Sequence, residues 1–315
     1  MNSLVNGMAM LNQFSKLLRN KVILKLVLIF FVLTSVHIYA TTPTIISDEA
    51  LEQQQKKLAQ LQAFVDSGIA YIKKYGTKKA YQEFSKTNGK FRQGQMYIFV
   101  YNYNGINLAH GDDPKNFVGK NKLDYRDQYG TPVVILLTKI AKRGGGFLHY
   151  YWRNSQTNQL EYKTAYVKPI DNNTFIGSGI YENIATPQTQ DIRIEELKSF
   201  VHEAIAYYKQ YGEKAAFKEF DNTSGKFKRG NLIVFVGNFQ GICVASSDPS
   251  LIGRNDLDTT DAFGTPFVKM FIEAANNGGG VITYYWTNYQ TKKNEIKIVY
   301  VEKLSDEYLI GAGNY

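Results

Sequence analysis

Between residues 48 and 75 apolar side chains recur at Leu51, Leu58, Leu61, Val65, Ile69 and Ile72 with Gln and Lys between them, a spacing that predicts one long amphipathic helix. A second run through Leu197, Val201, Ile205 and Tyr208 predicts a helix over 191–211, stopped by Gly212. A short helix over 77–85 follows the first, with Thr77 as its cap. The period then changes to two. Met96, Ile98 and Val100 alternate with Tyr97, Phe99 and Tyr101, and Asn104-Gly105 marks a tight turn before a strand over 106–109. Residues 147–152, 160–168 and 175–180 read as three more strands, with Asn172-Asn173 between the last two. Ahead of them, Thr131-Pro132 and Thr265-Pro266 each read as a cap and first-turn proline of a further helix, ended by Gly144 or Gly278.

These elements occur twice. Tyr75-Gly76, Phe84 and Gly89-Lys90-Phe91 return at Tyr211-Gly212, Phe220 and Gly225-Lys226-Phe227, an offset of 136. Gly119-Lys-Asn, Asp127, Gly144-Gly-Gly and Tyr150-Tyr-Trp return at Gly253-Arg-Asn, Asp261, Gly278-Gly-Gly and Tyr284-Tyr-Trp, an offset of 134. The first copy therefore carries two extra residues near Gly111 to Phe117. Phe175-Ile-Gly-Ser-Gly-Ile-Tyr181 closes one copy and Leu309-Ile-Gly-Ala-Gly-Asn-Tyr315 the other. The expected organisation is copy one over 41–181, a linker over 182–190 around Thr186-Pro187, and copy two over 191–315. Each copy is α+β, an antiparallel sheet of about five strands with a long N-terminal helix and a helix-bearing crossover.

Residues 1–40 have the order of a signal peptide: Lys16, Arg19, Lys21 and Lys25 lead into the apolar run from Leu26 to Val36, and Ala40 makes a cleavage site. The run is shorter than the ~20 apolar residues of a spanning helix, although residues 22–40 as an uncleaved anchor stay open. The expectation is a periplasmic or secreted chain from about Thr41. Removing that segment takes four basic and no acidic side chains from a net charge of +9, leaving +5 spread along the chain. Such a spread favours small anions over nucleic acid. The single cysteine, Cys243, excludes an intrachain disulfide and a thiolate metal cluster.

The order Tyr-Gly, Gly-Lys-Phe, Asn-Gly turn, Ala-His, Gly-Lys-Asn, Asp-x-x-Gly-x-Pro, Gly-Gly-Gly, Tyr-x-Trp, Lys-x-x-Tyr and Gly-x-Gly-x-Tyr resembles the single Cache domain of the second type, here in tandem. The resemblance implies a PAS-like fold and an extracytoplasmic sensor of small organic ligands, often carboxylates, as in chemoreceptors and sensor kinases. No kinase or methylation region follows Tyr315, so a separate membrane receptor or sensor kinase is the expected partner.

A polar ligand in an apolar pocket needs a few convergent polar groups. The candidates in copy one are His110, Tyr150, Trp152, Lys163 and Tyr166, and in copy two Tyr284, Trp286, Lys297 and Tyr300, with Ser246 in place of His110. Tyr150 and Trp152 share a strand face, and the lysine supplies charge for a small organic anion. A module that binds no ligand and docks on a membrane receptor is the alternative. Asp124, Asp127, Asp258 and Asp261 read as turn-formers, and Gly144-Gly-Gly as a helix stop. No nucleophile elbow or metalloprotease helix is present, so neither catalysis nor a cofactor is implied.

Overall fold

A computed structural model of the chain describes residues 48–182, 187–288 and 291–315. The expected signal peptide and anchor, residues 1–40, lie outside the described residues. Among those described, no helix is long and apolar enough to cross a membrane.

Copy one opens with α1 (Asp48–Tyr75) and α2 (Thr77–Phe84), then β1 (Arg92–Gln93), β2 (Met96–Tyr97), β3 (Phe99–Asn102) and β4 (Asn107–His110). A crossover carrying α3 (Pro114–Phe117) and α4 (Val133–Lys142) leads to β5 (Gly146–Arg153), β6 (Leu160–Pro169) and β7 (Thr174–Glu182). Copy two repeats this with α5 (Pro187–Tyr211), α6 (Glu213–Phe220), β8 (Lys228–Arg229), β9 (Leu232–Asn238), β10 (Cys243–Ser246), α7 (Phe267–Asn276), β11 (Gly280–Asn288), β12 (Lys293–Lys303) and β13 (Tyr308–Asn314). Both main sheets are antiparallel with one topology, β4-β3-β7-β6-β5 and β10-β9-β13-β12-β11. The sequence repeat is thus a fold repeat. The Asn104-Gly105 turn forms as expected, with Gly105 at φ 82° and its N–H donating to the Asn102 carbonyl.

Three local expectations change. The second long helix begins at Pro187, inside the expected linker, because a proline suits a first helical turn whose N–H groups have no partner. Thr77 is the first residue of α2; Gly76 holds the cap position without a side-chain bond. Thr131 and Thr265 do not cap α4 and α7 either. Pro132 and Pro266 stand at those caps, while the threonine N–H groups donate to Asp127 and Asp261 at 2.9 and 2.8 Å. Each aspartate also binds the next strand, accepting from the Tyr151 N–H at 3.2 Å or the Tyr285 N–H at 3.1 Å. Both are turn-formers, as expected. Burial lifts the Asp127 carboxyl to about 6, with the backbone N–H donors pulling the other way.

Each sheet buries both faces. In copy one, Ile98, Val100, Ala109 and Ile176 pack under α1 and α2, while Phe99, Tyr101, Leu148, Tyr150 and Val167 pack under α4. The apolar cluster under α4 runs on into Met270, Phe271 and Ala274 of α7, so the two copies share core. Lys139 of α4 and Arg143 at its C-terminal cap both reach Glu273 of α7, at 3.2 and 3.6 Å.

The Thr131 hydroxyl joins the copies as well. It donates to the Val281 carbonyl at 3.0 Å and faces the Val281 N–H at 3.3 Å, fully buried, and so closes a stretch of the free edge of β11. The Thr265 hydroxyl is equally buried but has no hydrogen-bond partner among the described residues. Thr131→Val therefore leaves two buried backbone groups unpaired and is expected to cost about 1–3 kcal/mol. Thr265→Val removes an unsatisfied hydroxyl and is expected to be neutral or stabilising. Urea denaturation of the two variants tests this; equal losses would remove the asymmetry.

Candidate ligand cavities

A lysine stands at the same place in both sheets. Lys163 lies opposite Tyr150 on β5 and Tyr181 on β7, and Lys297 lies opposite Tyr284 on β11. The glycines of the closing phrase make room for the stem. A Cβ on Gly179 would stand 2.4 Å from Lys163 Cε, and one on Gly313 would stand 3.1 Å from Lys297 Cε.

In copy one the lysine is closed in. Lys163 is 1% exposed; its Nζ donates to Tyr97 Oη at 2.8 Å and sits 4.1 Å from the centre of that ring and 4.8 Å from the Tyr181 ring. Burial pulls the ammonium down to about 7, against the Asp112 carboxylate. His110 fills the neighbouring space as the last residue of β4. Its ring stacks on Phe117 at 4.2 Å and its Nδ1 accepts from the Asp113 N–H at 2.9 Å. Burial, helped by the nearby Lys163, lowers the imidazole to about 3, so it is neutral. The cavity left among Tyr97, Tyr101, His110, Val133, Tyr150 and Trp152 measures about 10 Å³, the room of roughly one water.

In copy two the same place is open. Ile233 stands for Tyr97, Gly237 for Tyr101, Ser246 for His110 and Leu251 for Phe117, each smaller than its counterpart. Phe267 and Phe271, in place of Val133 and Leu137, take back part of the space. A cavity of about 100 Å³ remains, lined by Ile233, Gly237, Phe267, Tyr284, Trp286 and Lys297 among others. Lys297 is half-buried, its Nζ 5.2 Å from the Tyr315 ring. Burial draws its ammonium down to about 8, with Asp248 opposing. Cys243 also borders the cavity, its thiol pushed up to about 12 by burial.

The structure brings together His110, Tyr150, Trp152 and Lys163 in one copy and Tyr284, Trp286 and Lys297 in the other. It does not bring in Tyr166 or Tyr300. Each lies three residues beyond its lysine, and an odd spacing on a strand turns a side chain to the opposite face. Tyr166 packs on Phe147 at 5.0 Å on the α1 side, and the Tyr300 hydroxyl bonds Glu302 on the α5 side. Ser246 is buried and accepts from the Asp248 N–H at 3.1 Å, repeating the His110–Asp113 contact with a smaller side chain. Sequence reasoning missed Tyr97, Tyr181 and Phe117. The first could have been found, since Tyr97, Phe99 and Tyr101 alternate onto one face.

With this geometry in place, comparison with known proteins identifies the architecture. The Cache domain profile matches residues 44–315, across both copies. The chain belongs to the Cache domain family. It is similar to the sensor histidine kinase MctS of Rhizobium johnstonii, 36% identical over 86 residues, a match that takes in 27% of this chain and 18% of that kinase. Among solved structures, a methyl-accepting chemotaxis protein from Vibrio parahaemolyticus aligns with 41% of this Cache protein and 91% of that chain, at 24% identity and a TM-score of 0.36. A Cache chemosensory domain described for carboxylic acid recognition aligns with 43% of this chain and 98% of its own, at 18% identity and a TM-score of 0.35.

Proposed function

We propose that this Cache protein is an extracytoplasmic sensor whose second copy binds a small organic anion, with Lys297 as the charge partner, while in the first copy the equivalent space beside Lys163 is filled by side chains. The observation that carries this is the difference in room: about 100 Å³ beside Lys297 against about 10 Å³ beside Lys163. A cavity of ~150 Å³ takes a benzene ring, so the open one suits a ligand of about four to six heavy atoms. The walls are mostly apolar, and a lysine held among them lacks hydration that an incoming carboxylate replaces with a charge-assisted hydrogen bond. His110, the candidate that copy two replaces with Ser246, helps to fill the space in copy one.

Size limits the affinity. At about 1.5 kcal/mol per heavy atom a four-atom acid reaches at best −6 kcal/mol, a dissociation constant of roughly tens of micromolar, and six atoms allow tighter binding. Calorimetry with acetate, propionate and lactate is expected to give one micromolar-range site per chain, weakened at least tenfold by Lys297→Met and unchanged by Lys163→Met. The reverse ranking would return the site to copy one. The MctS relative supports a sensory role, with a membrane receptor or sensor kinase reading the occupied state. A panel without any binder would favour the rival reading, a docking module.

A further inference from the structure

The features that suit the copy-two cavity to a carboxylate, namely a lysine, ring-lined walls and room, also suit covalent capture of a carbonyl compound. Among the described residues Lys297 contributes the only amine to its lining. The cavity's walls include the rings of Phe267, Phe271, Tyr284 and Trp286, the amine itself lies 5.2 Å from the Tyr315 ring, and the cavity's carboxylate, Asp256, pairs with Arg254 at 2.8 Å and Thr259 at 3.0 Å. There is also space for a carbon centre to approach. A lysine desolvated by apolar walls carries a larger neutral, nucleophilic fraction near neutral pH than a solvated one, and the lowering of the Lys297 ammonium by burial agrees with this.

We infer that Lys297 forms a reversible imine with a small carbonyl compound of the 2-oxo acid class. This rests on the proposed acid-binding reading and names a ligand class within it. The neutral Nζ lone pair adds to the carbonyl carbon, the carbonyl π pair moves to oxygen, and a proton passes from nitrogen to that oxygen to give a carbinolamine. The nitrogen lone pair then expels the hydroxyl, which leaves as water with the second amine proton, and a C=N bond remains. No electrons enter or leave. A proton taken up by the imine restores a positive charge next to the ligand's carboxylate, so one side chain serves both as covalent anchor and as counter-charge. A 2-oxo acid of six heavy atoms is within the size of the cavity.

Lys163 is a built-in control. It has the same cross-strand tyrosine and an even deeper burial, but only about 10 Å³ beside it and a Tyr97 hydroxyl at 2.8 Å on its Nζ. Reactivity that followed burial alone would label Lys163; reactivity that needs room labels Lys297.

The test is to incubate the full chain with pyruvate and sodium cyanoborohydride, which converts an imine to a stable secondary amine, and to map the modified lysines by peptide mass spectrometry. The expected result is labelling of Lys297 at least tenfold above Lys163 and the surface lysines, competed away by propionate and abolished in Lys297→Arg. Labelling spread evenly over exposed lysines, or persisting elsewhere at the same level in Lys297→Arg, overturns the proposal. Calorimetry with propionate separates it from the reading beneath it. Propionate bound and pyruvate untrapped removes the imine and leaves the acid site, whereas neither bound nor trapped removes both.

Discussion

Lys163→Met is expected to stabilise the protein in the absence of ligand by about 2–4 kcal/mol, because it removes an ammonium that folding strips of water without supplying a carboxylate in contact. The side chain is 1% exposed and its Nζ reaches a phenol. The pH dependence follows from the same burial. Unfolded, the lysine titrates near its ordinary 10.5, and folded near 7, so between those values the unfolded state holds more protons. Stability therefore rises with pH above 7, by about 1.4 kcal/mol per pH unit for each such group. Lys297, lowered to about 8, adds to the trend in the same direction. The wild-type chain is expected to be more stable at pH 9 than at pH 7, and Lys163→Met to flatten that slope while raising stability at pH 7. Urea titrations at the two pH values measure both. A variant less stable than wild type, with its slope unchanged, would mean that Lys163 is charged and well paired in the fold.

Much of this fold was legible because it is written in short periods. The 3.6-residue spacing from Leu58 to Ile72 predicted a helix over the residues α1 occupies, and two-residue alternation predicted the strands that carry Tyr150, Trp152 and Lys163. The duplicated phrases predicted that whatever one copy does, the other repeats in topology. Tyr166 and Tyr300 were errors of parity that the same alternation corrects. The caps were harder. Thr-Pro before a helix reads as a cap, but Thr131 and Thr265 place their N–H groups on aspartates four residues earlier, and the Thr131 hydroxyl bonds a strand of the other copy. No local pattern carries a partner 150 residues away. The difference between the cavities was hidden for a related reason. Tyr97, Tyr101, His110 and Phe117 come from β2, β3, β4 and α3, and they crowd one space only once the β4-β3-β7-β6-β5 order and α4 close around it.

That account makes the open cavity a matter of side-chain volume, which one substitution can reverse. Gly237 occupies on β9 the position that Tyr101 holds on β3. A Cβ placed there meets nothing nearer than Leu309 Cδ1 at 3.6 Å, an ordinary contact, and Gly237 is not among the glycines with left-handed φ, so a larger residue needs no backbone change. In copy one the tyrosine at this position is 3% exposed, its ring stacked 5.8 Å from Phe175, and Leu309 is the counterpart of that phenylalanine. Gly237→Tyr is therefore expected to lay its ring over Leu309 and fill the space beside Lys297. Binding of small acids should fall at least a hundredfold, while the unliganded melting temperature holds or rises, since burying aromatic surface in a cavity contributes about 1–3 kcal/mol. Calorimetry and thermal melts on the same preparation separate the two effects. Retained affinity in a folded Gly237→Tyr protein would place the ligand outside this cavity; lost affinity with an intact melt, alongside the loss in Lys297→Met, would locate the ligand between these two side chains.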